Sequence, residues 1–123
     1  MIIGLGADIV EIPRIERICG RFGHRFLEKI FTRDELEELS AASASTLAGR
    51  FAAKEAAAKA LGTGFSGGIG PRQIEIGRNS RGSPQITFLG RANERCGALG
   101  VARGLLSISH ERSLAFAVVV LEG

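Results

Sequence analysis

A chain of 123 residues has room for one domain and little room for two, since compact domains hold about 100 to 200 residues. Hydrophobic residues at 45% against 24% charged exclude a disordered chain, and the formal charge of +3 points to acidic partners without naming their class. The longest uncharged apolar run, Leu114 to Leu121, falls short of the roughly 20 residues that cross a bilayer, and Asp8 and Glu11 interrupt the only stretch resembling a leader. One cytoplasmic domain over residues 1–123 is therefore expected, with Cys19 and Cys96 as reduced thiols.

The first element alternates Ile2, Gly4, Gly6 and Asp8 on one face with Ile3, Leu5, Ala7 and Ile9 on the other, which predicts a strand. One face is apolar; the other is nearly bare until it reaches the Asp8 carboxylate, which leaves room for something to approach the backbone closely. Pro13 suits a first helical turn, and Ile12, Ile15, Ile18 and Phe22 recur at helical spacing up to Gly23. Thr32 and Glu35 have the form of a capping box for a helix from Arg33 to about Leu39. An Ala-rich helix is predicted from Thr46 to Leu61, stopped at Gly62 and Gly64. After a Gly-rich loop, Pro71 opens a strand through Ile74 and Ile76, and turn residues from Asn79 to Pro84 lead into a hairpin partner through Ile86 and Phe88. A short helix from Arg91 to Leu99 and two strands, Leu105 to His110 and Leu114 to Leu121, complete the chain. Helices early and strands late predict an α+β fold, an antiparallel sheet packed against a long central helix.

On that central helix Ala48, Phe51, Ala52, Glu55 and Lys59 share a stripe, so a carboxylate interrupts a face that otherwise looks buried. Periodicity alone favours a solvated ion pair between Glu55 and Lys59. Asp8 changes the weighing: it too stands isolated on a rigid element, and two such carboxylates are what a magnesium ion bridging substrate phosphates needs. Arg14, Arg17, Arg21 and Arg25, spaced 3, 4 and 4 apart, form a basic stripe suited to an acidic helical partner. Nucleic acid is a poorer fit, because no aromatic residues interleave with these arginines and Trp and Tyr are absent. Gly4 and Gly6 do not make a dinucleotide fingerprint, since Ile9 stands at the third glycine position. Ser109 and His110, adjacent on a strand, face opposite ways and cannot pair as nucleophile and base.

Two motifs carry a family resemblance: Gly4-Leu5-Gly6-Ala7-Asp8-Ile9-Val10-Glu11-Ile12, and the run from Arg50-Phe51-Ala52-Ala53-Lys54-Glu55 through Lys59 to Gly62-Thr63-Gly64. Their order and separation resemble the holo-acyl-carrier-protein synthases, short 4'-phosphopantetheinyl transferases. The resemblance implies that Asp8 and Glu55 hold Mg2+ on the pyrophosphate of coenzyme A, while a serine of apo acyl carrier protein attacks the β-phosphate for fatty acid biosynthesis. The general base is then Glu55 or a water on the metal, and Lys59 stabilises the phosphates or the leaving 3',5'-ADP. Arg50, Lys54, Gly62, Gly64 and, in the late Ser-His segment, His110 become coenzyme A contacts. Arg14 and Arg21, ahead of Arg17 and Arg25, become contacts to the acidic carrier protein. The resemblance also implies a homotrimer with active sites between subunits, binding neither nucleic acid nor membrane. A non-enzymatic alternative is a basic docking module for an acidic helix, with Glu55 and Lys59 as a surface ion pair.

Overall fold

The computed structural model describes residues 1–123. Strand β1 (Ile2–Glu11) runs directly into α1 (Ile12–Phe22), whose first turn carries the proline. Gly23, at φ 58°, breaks the helix, and α2 (His24–Ile30) starts at once in a new direction. With seven residues and no side-chain cap, α2 is too short to announce itself by periodicity. α3 (Arg33–Glu38) begins at the expected capping box: the Thr32 hydroxyl accepts from Glu35 N at 3.2 Å and the Glu35 carboxylate accepts from Thr32 N at 2.8 Å.

The central helix α4 (Ala44–Ala60) starts two residues before the predicted Thr46, because the Ser43 hydroxyl caps it by accepting from Thr46 N. Pro71 opens a 3-10 turn through Gln73 in place of the expected strand, and β2 (Ile74–Arg78) follows it. β2 pairs with β3 (Pro84–Phe88) as the predicted hairpin, its loop held by the Asn79 side chain accepting from Arg81 N and Ser83 N. Helix α5 (Gly90–Leu99) ends at Gly100, at φ 79°, before β4 (Arg103–Glu111) and β5 (Leu114–Glu122).

The fold is α+β, with its antiparallel strands divided between two sheets: β1-β5-β4, with β5 central, and the β2-β3 hairpin. Ile86 and Phe88 of β3 pack their side chains against Gly104 of β4, where the hairpin meets the larger sheet. Ala115, Ala117, Val119 and Leu121 of β5 are wholly buried under α4. Fully burying residues of the size of Val119 or Leu121 contributes about 1.5–3 kcal/mol each.

The bare face of β1 is what lets α4 lie so low. A β-carbon at Gly6 would collide with the Ala56 carbonyl oxygen, and one at Gly4 with that of Ala60. With alanines at 48, 52, 53, 56, 57 and 60 buried on the helix side, strand and helix meet backbone to backbone. The apolar face of β1 is turned outward, and Leu5 and Ile9 are exposed beside Phe116 and Leu114 of β5 and Leu105 of β4. The two termini meet beside β1 and β5, where Gly123 N donates to Met1 O at 3.0 Å.

Candidate functional site

Asp8 follows Gly6 on the face of β1 that carries α4, and Glu55 and Lys59 come from that helix one turn apart. The Lys59 ammonium donates to Asp8 Oδ1 at 3.0 Å and to Ala7 O at 3.1 Å, so it bridges to β1 across elements instead of pairing with Glu55 along its own helix. Asp8 is mostly covered, with 18% of its side chain exposed, whereas Lys59 is half exposed and able to turn toward a ligand. Burial pushes the Glu55 carboxyl above the usual carboxylate range, and the negative charge of Asp8 adds to this. Lys59 and Arg14 of α1 pull in the opposite direction.

The Glu55 carboxyl, raised by burial and by the charge of Asp8 beside it, forms with Asp8 a site that a cation would relieve. Nowhere does the chain gather three or more His, Cys, Asp or Glu residues able to hold a metal ion. Asp8 and Glu55 therefore suit a hard ion that takes one or two protein carboxylates and fills its remaining positions with water and phosphate oxygens, which is the habit of Mg2+.

The other predicted residues lie elsewhere. His110 and Arg50 line a cavity of about 250 Å³ with Ser45, Thr46, Gly49 and Arg78, on the opposite flank of α4 from Glu55. Five residues at 100° each separate Arg50 from Glu55 by about 140° around the helix, so one copy of the chain cannot bring both flanks to one point. Arg50 is itself buried, donating to Ile76 O at 2.7 Å and to Glu38 at 2.8 Å. Gly62 and Gly64 take the left-handed conformation and close α4, their amides donating to Lys59 O and Ala58 O.

Lys54 requires a correction. Its side chain is wholly buried, and its ammonium donates to Glu35, Pro71 O and Ile74 O at 2.7, 2.9 and 2.5 Å, which leaves no proton for a phosphate of coenzyme A. Burial lowers its proton affinity and the Glu35 carboxylate restores part of it. Arg25 also leaves the predicted stripe, because Gly23 breaks the helix and moves it to α2.

Arg14, Arg17 and Arg21 remain exposed on α1, and beside them lies an apolar groove that the helical spacing of Ile18 and Phe22 did not reveal. Phe22 is exposed, and Ile18, Phe22, Arg25, Phe26 and Lys29 line an open cleft of about 430 Å³. A smaller cleft of about 170 Å³ beside Arg14 continues it between Val10, Ile15, Phe26 and Phe51. The signal available in the sequence was Phe51, an aromatic on the Glu55 stripe; its ring lies 6.4 Å from that of Phe26.

Residues 4–119 match the model of the 4'-phosphopantetheinyl transferase superfamily. The chain is 54% identical over 123 residues to the holo-[acyl-carrier-protein] synthase of Nitratidesulfovibrio vulgaris strain Hildenborough, covering 99% of each. Among solved structures, holo-[acyl-carrier-protein] synthase from Neisseria meningitidis matches with a TM-score of 0.92 and 41% identity, over the whole of both chains. The Helicobacter pylori enzyme in complex with coenzyme A matches with a TM-score of 0.86 and 35% identity, over 96% of this chain and 99% of that one. By sequence and by fold, the chain belongs to the 4'-phosphopantetheinyl transferase superfamily, among its holo-acyl-carrier-protein synthases.

Proposed function

We propose that the chain transfers 4'-phosphopantetheine from coenzyme A to a serine of apo acyl carrier protein, releasing 3',5'-ADP. The observation that carries the chemistry is the meeting of Asp8, Glu55, Lys59 and Arg14 from three elements at one partly covered spot. The serine hydroxyl forms a P–O bond to the β-phosphate of coenzyme A while the bond to 3',5'-ADP breaks. Bound between Asp8 and Glu55, Mg2+ would neutralise phosphate charge as it shifts toward the leaving group. Glu55, whose proton affinity burial and Asp8 raise, or a water on the bound metal would take the serine proton. Lys59, held by Asp8 on a half-exposed stem, is placed to meet a phosphate oxygen.

Arg50, His110 and the Gly62 and Gly64 turn remain the proposed coenzyme A contacts, with Arg78 added from the shared cavity. Because His110 and Glu55 lie on opposite flanks of α4, the proposed site is completed by a neighbouring copy. The exposed apolar face of β1, β5 and β4, with Leu5, Ile9, Leu105 and Phe116, supports that assembly, which we assign as a homotrimer. The carrier protein is proposed to dock acidic residues on Arg14, Arg17 and Arg21, with Arg25 at the edge, and apolar ones in the groove of Ile18, Phe22 and Phe26. We place the enzyme in the cytoplasm: its cysteines are free, as a reducing compartment keeps them, and no helix is long and apolar enough to cross a membrane.

The test is the intact mass of apo acyl carrier protein after incubation with the chain, coenzyme A and Mg2+. A gain of one phosphopantetheine that chelator abolishes supports the reading. No gain from folded protein with several carrier proteins overturns it.

A further inference from the structure

We infer that Glu35 and Lys54, with Glu38 and Arg50 beside them, form a clamp that sets the roll and height of α4 and thereby positions Glu55 and Lys59 against Asp8. The inference rests on the role proposed above for Glu55. Lys54 and Glu35 are 0% and 1% exposed, and no polar atom of either side chain lacks a hydrogen-bond partner. Besides the three bonds of the ammonium, Glu35 Oε1 accepts from Thr32 N at 2.8 Å and Glu35 Oε2 from Ile76 N at 2.9 Å. One pair of side chains thus joins α4 to the cap of α3, to the 3-10 turn and to β2.

The pattern repeats one turn earlier. Arg50 donates to Glu38 of α3 and to Ile76 O of β2, as Lys54 donates to Glu35 of α3 and to Ile74 O of β2. Acids three apart on α3 therefore face bases four apart on α4. A single pin would leave the helix free to swivel; two pins a turn apart fix both rotation and axial position. The far flank of α4 rests on the glycines of β1, which resist approach but exert no directional hold against a roll.

The consequence for the site is a lever. Side-chain tips lie about 5–6 Å from a helix axis, so a roll of about 10° moves the Glu55 carboxylate by about 1 Å. A displacement of that size can cost about 100-fold in rate. Buried ion pairs are weak contributors to net stability compared with apolar pairs of the same volume, so a stabilising role alone gives little reason for this one, and directional bonds supply what apolar packing lacks.

The experiment compares Lys54→Met, the double variant Lys54→Met with Glu35→Gln, and Leu121→Ala, a core truncation at the far end of β5. The double variant leaves no buried charge and decides the question if Lys54→Met alone does not fold. Melting curves choose a temperature at which the variants compared are folded. There we measure kcat, KM for coenzyme A, and the affinity for Mn2+ in the presence of 3',5'-ADP, read from the free-ion electron paramagnetic resonance signal.

The expected result is a kcat at least tenfold lower in the clamp variants, with KM for coenzyme A within threefold and Mn2+ affinity at least fivefold weaker, while Leu121→Ala stays within threefold of the wild type in all three. A folded double variant with wild-type kcat and Mn2+ affinity overturns the clamp, as does an equal loss in Leu121→Ala. Failure of the proposed function is distinguishable, because then the wild type itself transfers nothing.

Discussion

At Glu55 the molecule carries a cost in its unliganded state. A carboxyl whose proton affinity is raised on folding favours the native state below its unfolded range, and that advantage is lost as pH rises through the raised folded value. At neutral pH the ionised Glu55 therefore weakens the metal-free protein. Glu55→Gln is expected to melt higher than the wild type at pH 7 without metal, and the difference to vanish as acid protonates the wild-type group. The same variant is expected to lose about 10²–10⁴-fold in transfer rate, measured by carrier-protein mass at saturating coenzyme A. Gly6 makes the opposite case, since its lack of a β-carbon is the reason for its presence. Gly6→Ala drives a methyl into the Ala56 carbonyl and is expected to cost about 3 kcal/mol in urea unfolding, at the upper end of ordinary overpacking.

Among the elements, β1 and α4 were readable because their patterns are strong: alternation for one, an alanine run with glycines after it for the other. Which face of β1 goes inward followed from bulk, and the bare side of Gly4 and Gly6 packs while Leu5 and Ile9 stay out. The metal-site candidates were legible for a related reason, as carboxylates on rigid elements with little around them. Lys54 was not. On a helical wheel it looks like any basic neighbour of Glu55, and only the fold shows Glu35 arriving from α3 to neutralise it. The groove of Ile18, Phe22 and Phe26 was hidden in the same way, because helical spacing identifies a face without saying what covers it. On α1 the arginines predict a salt-sensitive encounter: Arg17→Glu with Arg21→Glu is expected to raise KM for the carrier protein at least tenfold and to flatten its dependence on ionic strength, with KM for coenzyme A within twofold.

For the whole molecule, the outward apolar face of β1, β5 and β4 and the division of proposed contacts between the two flanks of α4 make the same demand. Ile9→Glu with Phe116→Asp is expected to give monomers in sedimentation experiments, folded by circular dichroism and inactive in transfer. An active monomer would show that one copy contains a complete site, and a retained trimer that this face is not the interface.

The central position of β5 also orders events in time. β1 and β4 hydrogen-bond only to β5, the last strand in the chain, so neither has a sheet partner while β5 is still inside the ribosome. Asp8 stands opposite Ala117 of that strand, more than a hundred residues later, so the sheet beneath it closes late in synthesis. A nascent chain can hold its α4 caps and its β2-β3 hairpin early, whereas β1 has only the face of α4 to pack on until β5 arrives.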